Sequence, residues 1–229
     1  EKLAVEVRCY DPFLAVTNKG NRKYYSLDEV LECDVVSLHV PLTSASVHPT
    51  LNLIGDAELT ILTKNAILIN ACRGGVVDEL ALKSLLLTRE DIMTVFDVWE
   101  NEPTIQSSLA QCVDIATPHI AGYSAEAKSN ATKILALEFE RHFRLGDAIE
   151  EEASESKPDV LDVEDAPGEL AQWGTLLTAL PLDELSEQFK RALSDGVGAE
   201  TFDTFRQKLL TRREFMSSHL RRDTYSLFQ

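Results

Sequence analysis

Short apolar runs alternate with helical stretches along the first half of the chain, and this alternation leaves few folds open to it. The runs lie at 4–10, at 34–40 ("DVVSLHV"), at 65–71 ("NAILINA"), at 92–98 ("IMTVFDV") and at 113–117 ("VDIAT"). Most are apolar on both faces, as strands buried in a parallel sheet are. Helix signals lie between them. "SLDEVLEC" opens on Ser26 with Glu29 three residues later, the spacing of a capping box. "GDAELTIL" follows at 55–62, and "DELALKSLLL" begins on Asp78, a good N-cap residue. Repeated strand–helix–strand units predict an α/β fold with a doubly wound parallel sheet.

A longer amphipathic helix is expected over 124–144, with Ala127, Ala131, Ile134, Leu135, Leu137 and Phe139 on its apolar side and Gly146 as its stop. Then the composition turns acidic, with Ser and Pro and little periodicity. The expected organisation is a domain over 1–145, an acidic linker over 146–170 and a smaller C-terminal α+β domain over 171–229. Within the last, 182–195 and 199–215 read as helices, the second with Phe202, Phe205, Leu209 and Leu210 near one side. Two such helices bury little by themselves, so they should pack on the first domain or on another copy of the chain.

The formal net charge is −16, which repels phosphate backbones and argues against a nucleic-acid partner. No apolar run is long enough to span a bilayer, so no membrane partner is expected. Cys9, Cys33, Cys72 and Cys112 fit neither a zinc pattern nor a CxxC pair. They are expected to be reduced and mostly buried, as in a cytoplasmic protein, with no metal bound.

In an open α/β sheet, ligands bind beyond the carboxyl ends of the strands. Several such ends carry chemistry here. Asp11 closes "VEVRCYDPF", where an acid grips an adenosine ribose in nucleotide-binding folds. In "NACRGGVVDE", Arg73 precedes two glycines; an arginine there can hold a carboxylate with two parallel hydrogen bonds. "VFDVWENEP" offers Asp97 and Glu102. "ATPHIAGYS" offers His119, suited to proton transfer near neutral pH. Read alone, each has an ordinary meaning: a surface arginine at a turn, solvated loop acids, a core histidine. As a set they supply a base, an acid to orient it and a cation for a carboxylate, which is what carbonyl–alcohol chemistry needs.

The ordered motifs "YDP", "CDVVSLHVPLT", "LINACRGGVVDE", "FDVWENEP" and "TPHIAGYS" resemble the D-2-hydroxyacid dehydrogenase family over about residues 4–145. The resemblance implies a Rossmann-like fold, NAD as cofactor and Arg73, Glu102 and His119 as the catalytic set. It implies that Arg73 binds the substrate carboxylate and C2 oxygen, that His119 removes the C2 hydroxyl proton, and that Glu102 holds the imidazole tautomer. It places Asp97 at the nicotinamide carboxamide, and Val40, Ala71, Cys72, Arg73 and Gly122 along the cofactor cleft. It assigns Asp11 to the ribose hydroxyls and Tyr123 to the substrate, at its phosphate. The tail "FDTFRQKLLTRREF" resembles a dimerisation segment found in one branch of the family, which implies a homodimer acting on a small phosphorylated hydroxy acid. Two alternatives stay open: another D-2-hydroxy acid such as 3-phosphoglycerate as substrate, or a non-catalytic, NAD-sensing dimeric scaffold.

One expectation concerns what the motifs lack. A ribose-binding acid normally follows a glycine-rich phosphate loop by about 20 residues. Ten residues precede Asp11, and none is glycine. The sequence therefore looks N-terminally truncated, lacking the first strand and its phosphate turn. Taken alone it is expected to bind NAD weakly and to turn over poorly.

Overall fold

The computed structural model describes residues 5–17, 22–143, 181–195 and 198–209. They fall into two compact units, one of 5–121 with 182–195 and 198–205, the other of 122–143 with 181 and 206–209.

The first unit is built on four parallel strands, β1 (Val35–Leu38), β2 (Ile67–Asn70), β3 (Met93–Phe96) and β4 (Ile115–Ala116), in the order β1-β2-β3-β4. A helix follows almost every strand, as parallel pairing demands. Before the sheet come α1 (Pro12–Thr17) and α2 (Leu27–Leu31); between strands run α3 (Asp56–Ile61), α4 (Glu79–Leu86) and α5 (Ser107–Cys112). Ser26 caps α2 through the full capping box, and Asp78 caps α4 by accepting from the Leu80 and Ala81 amides, both at 3.0 Å. Each helix of the α2–α5 row touches the next, and each drives one leucine into the core: Leu31, Leu59, Leu82 and Leu109. Those side chains join Val36, Leu68, Phe96 and Ala116 of the strands in the same core. Fully burying each such leucine, valine or phenylalanine contributes about 1.5–3 kcal/mol.

Two expectations need correction. Among the described residues of this unit, the strands are fully buried on one face, while the other is half-buried or exposed. Val35 is 51% and Met93 41% exposed, and the described residues of this unit bring no second helical layer over them. Residues 5–10 are not a strand. Cys9 carbonyl accepts from the Tyr25 amide at 2.9 Å, but a cavity of about 880 Å³ lies between this segment and β1. A strand exists by pairing, and across that gap no ladder forms.

The free edge of β4 is covered by α7 (Leu182–Asp195). Ser186 Oγ accepts from the Ala116 amide at 2.9 Å, and Lys190 Nζ donates to the Val113 and Asp114 carbonyls. This helix blunts an edge that otherwise invites a foreign strand. Phe189 of α7 meets Phe202 and Phe205 of α8 (Gly198–Lys208), with ring centroids 6.0 and 5.6 Å apart. Of the two docking possibilities for these helices, this part of them takes the first domain. The linker at 146–170 and the tail from 210 lie outside the described residues.

In the second unit, α6 (Ala125–Phe143) is helical as expected. Among the described residues of this unit, nothing covers its apolar side. Ile134, Leu135, Leu137 and Phe139 are all at least half exposed. The cysteines also depart from expectation: all four are free thiols, but only Cys72 is buried.

Candidate active site

β2, β3 and β4 are adjacent and parallel, so the turns after Asn70, Phe96 and Ala116 leave the sheet at one edge. At about 4.8 Å per strand, the outer two of these turns start about 10 Å apart. The sequence thus brings Arg73, Glu102 and His119 to a common edge.

The first turn is shaped by Asn70, which is 1% exposed. Its Oδ1 accepts from the Cys72 amide at 3.3 Å, and its Nδ2 donates to the Arg73 carbonyl at 3.2 Å. This folds the chain back at once and turns Arg73 outward, where its side chain is exposed. Arg73 Nη1 donates to the Cys72 carbonyl at 2.6 Å. Burial pushes the Cys72 thiol up from its ordinary range, which makes it an inert wall rather than a nucleophile. His39, Val40, Pro41, Ala71, Cys72 and Arg73 line a recess of about 310 Å³ beyond the ends of β1 and β2.

Gly74 and Gly75 let this turn approach the second. A Cβ at Gly74 would lie 1.8 Å from the Trp99 carbonyl oxygen, so only glycine fits against that backbone. Gly75 has φ +78°, a conformation glycine adopts freely.

The second and third turns are tied together by Asp97. It is 5% exposed, and both its oxygens are engaged. Oδ1 accepts from the Thr117 hydroxyl and from the Ile120 amide at 2.8 Å; Oδ2 accepts from the Ala121 amide at 2.8 Å. Burial raises its pKa, while these donors and the nearby His119 pull the other way. The Asp97 carbonyl also accepts from the His119 amide at 2.6 Å. His119 sits at φ 54°, so its ring leaves the chain in a direction set by four bonds to one residue.

Glu102 faces that ring. Its Oε2 lies 2.7 Å from His119 Nδ1, and its Oε1 accepts from the Trp99 amide at 2.8 Å. The two side chains are 21% and 30% exposed, so the pair is sheltered but reachable. With Nδ1 held by a carboxylate, Nε2 is the nitrogen left for proton exchange with a ligand. Trp99 packs beneath, its indole N–H donating to the Thr117 carbonyl at 2.9 Å.

The remaining expected residues are placed differently. Asp11 caps α1: its Oδ1 accepts from the Phe13 and Leu14 amides at 3.0 and 2.9 Å. Gly122 and Tyr123 belong to the second unit. Space around Gly122 is open among the described residues. Lys128 Nζ lies 3.7 Å and the Arg206 guanidinium 4.7 Å from the centre of the Tyr123 ring.

Sequence reasoning missed Glu79. As the first residue of α4 it reads as a solvated acid complementing the helix dipole. It is instead 2% exposed, with Oε1 accepting from the Glu100 amide at 2.5 Å and no hydrogen-bond partner for Oε2 among the described residues. Burial, with Glu100, Glu102 and Asp78 nearby, pushes its pKa up to about 7. The folded chain therefore holds a proton that the unfolded chain releases near pH 4.5. Stability should fall as pH rises from about 4.5 to 7, by about 3 kcal/mol at roughly 1.4 kcal/mol per pH unit. Glu79→Gln should remove that slope in urea unfolding measured at pH 5 and pH 8; an unchanged slope would assign the proton elsewhere.

The chain is similar to known proteins of one family. Residues 1–121 match the family described as D-isomer specific 2-hydroxyacid dehydrogenase, NAD binding domain. Over 210 residues the chain is 39% identical to a Pseudomonas putida (strain W619) protein named erythronate-4-phosphate dehydrogenase, covering 89% of this chain and 55% of that protein. A Shewanella sp. (strain DB6705) protein of the same name is 35% identical, with 94% of this chain and 82% of that protein covered. Among solved structures, the Aquifex aeolicus D-lactate dehydrogenase complexed with NAD and lactic acid aligns at TM-score 0.50 and 29% identity, covering 64% of this chain and 48% of that one. The chain spans little more than half the length of the Pseudomonas putida proteins it matches. Five ordered motifs, a parallel sheet with its charged turns at one edge and a family match over the same residues lead to one statement: the chain belongs to the D-isomer specific 2-hydroxyacid dehydrogenase family, through its NAD-binding domain.

Proposed function

We propose that the chain serves an NAD-dependent dehydrogenase that oxidises 4-phospho-D-erythronate to 2-oxo-3-hydroxy-4-phosphobutanoate, a step toward pyridoxal phosphate, as a cytoplasmic homodimer. The observation that carries the chemistry is the 2.7 Å contact between His119 Nδ1 and Glu102 Oε2 at the sheet edge shared with Arg73. The names of the relatives support the substrate. The apolar side chains exposed on α6 support assembly with a second copy, and among the described residues no helix is long and apolar enough to cross a membrane.

The recess beyond β1 and β2, where Val40, Pro41 and the exposed Ala71 lie beside Cys72 and Arg73, is proposed to receive the nicotinamide end of the cofactor. When bound, NAD supplies the acceptor for the hydride on C2. The protein's own residues do the rest. Arg73 exchanges its bond to the Cys72 carbonyl for the substrate carboxylate, held by two parallel N–H donors, and reaches the C2 oxygen. His119 Nε2 takes the C2 hydroxyl proton as the carbonyl forms, and Glu102 stabilises the resulting imidazolium and keeps its tautomer. Asp97 holds the turn that presents His119 and is proposed to meet the nicotinamide carboxamide. Asp11 is proposed for the ribose hydroxyls, Gly122 for the cofactor, and Tyr123 for the substrate phosphate, where Lys128 and Arg206 bring positive charge to its ring.

Arg73→Lys tests this reading. It keeps the charge and loses the fork, so kcat/KM for the hydroxy acid should fall about 10–100-fold, the worth of a charge-assisted hydrogen bond. Near-normal kinetics in that variant would remove the carboxylate clamp from the account.

A further inference from the structure

The mechanism above leaves Glu79 unused, although its carboxyl is buried in the first unit. A carboxyl buried to 2% exposure with one oxygen unpartnered lowers stability rather than raising it. Features retained against their own cost cluster around functional sites.

We propose that Glu79 is the positioning residue of the Glu102–His119 pair: its buried carboxyl anchors the Trp99–Glu102 turn and so fixes where Glu102 meets the imidazole. The path is continuous. Glu79 leaves the first turn of α4, a rigid element capped by Asp78. Its Oε1 receives the Glu100 amide at 2.5 Å. One residue earlier, the Trp99 amide donates to Glu102 Oε1; two residues later, Glu102 Oε2 meets His119 Nδ1. Asn101 between them is at φ 59°, which bends the chain back on itself. The Trp99 carbonyl is pressed against Gly74 from the other side. Pinned at Trp99 and Glu100, the turn has one place to put Glu102.

An acceptor on a long side chain is required, because Glu100 presents its amide to the base of α4 rather than to water. An asparagine or serine at the same helical position is too short to reach it. The charged groups facing Glu79 are Asp78 on its own cap and Glu100 and Glu102 across from it. None of them is a cation, so an ion pair does not explain its place.

The test uses the whole chain with Glu79→Ala, Glu79→Gln and Glu79→Asp, each checked for folding by far-UV circular dichroism. The readout is the downfield Nδ1–H resonance of His119 in proton–nitrogen NMR, identified by its loss in His119→Asn. In Glu79→Ala the exchange rate of that proton with water should rise at least about tenfold. With the hydroxy acid, kcat should fall about 10–100-fold while KM holds, since misplacement by an ångström costs about that much. Glu79→Gln keeps a carbonyl oxygen for the Glu100 amide and should restore both within about twofold. Glu79→Asp keeps the carboxyl group but is one methylene short, so it should behave as Glu79→Ala and carries the test if the alanine variant does not fold. Glu79→Ala or Glu79→Asp matching wild type would overturn the proposal, and so would a glutamine variant as damaged as alanine. The kinetic arm rests on the function proposed above, whereas the resonance arm does not. Loss of the resonance effect sinks the positioning role; an enzyme inactive in every form with the resonance effect intact sinks only the proposed reaction.

Discussion

Replacing His119 by alanine is expected to lower turnover of the hydroxy acid about 10³-fold while leaving affinity for NAD within about twofold. General acid–base catalysis is worth about 10²–10⁴-fold, and Glu102 holds Nδ1 of His119, leaving Nε2 for the base role proposed above. The substitution should not collapse the turn. What fastens residues 119–121 to Asp97 is backbone: the His119, Ile120 and Ala121 amides all donate to it. Equal losses of turnover and cofactor affinity would instead make His119 a structural residue. Thermal melts of the variant separate these outcomes from simple unfolding.

The second large effect is expected from Gly74→Ala, the smallest side-chain change available. The added carbon would sit 1.8 and 2.1 Å from the Trp99 carbonyl oxygen and carbon and 2.7 Å from the Glu100 nitrogen. All three are backbone atoms, so no rotamer change relieves the clash. Overpacking usually costs about 1–3 kcal/mol, and a backbone collision belongs at or above the top of that range. Urea unfolding should show a loss of about 3 kcal/mol. The turn pushed aside is the one that carries Glu102, so kcat should fall beyond what lost stability explains. A variant as stable and active as wild type would mean that the first and second turns do not pack as described.

The framework of this site was legible in the sequence because its signals are local. Ser26–Glu29 and Asp78 announce helix starts through bonds made within four residues, and both caps are present. The runs at 34–40, 65–71, 92–98 and 113–117 each contain a strand, shorter than the apolar pattern because the pattern continues past the last paired residue. The run at 5–10 carries the same pattern and forms no strand, since pairing depends on a neighbour and not on the run itself. The sheet's second face failed for a related reason. Apolar residues such as Val35 and Met93 state what they prefer to contact, not whether the described chain provides it.

Side-chain direction was the least legible. Asp97 at a strand end reads as an acid near a ligand, but nothing local announces the bonds its oxygens accept from Thr117, Ile120 and Ala121, more than 15 residues away in the chain. Asp11 reads the same way and spends Oδ1 on the two amides that open α1. Glu79 was hidden because a first-turn acid is ordinarily solvated, and only the tertiary approach of Glu100 buries it. By contrast, Glu102 and His119 were identified as a set through complementary chemistry, and the structure brings them to 2.7 Å.

The most direct test of the central claim is the initial rate of reduced-nicotinamide formation, followed by absorbance at millimolar NAD. The wild-type chain and its His119→Ala variant are compared on 4-phospho-D-erythronate, 3-phosphoglycerate and D-lactate. The account predicts a rate with 4-phospho-D-erythronate that exceeds both other acids and vanishes into background in the variant. Equal rates in the two proteins, or a faster rate with 3-phosphoglycerate or D-lactate, would contradict it.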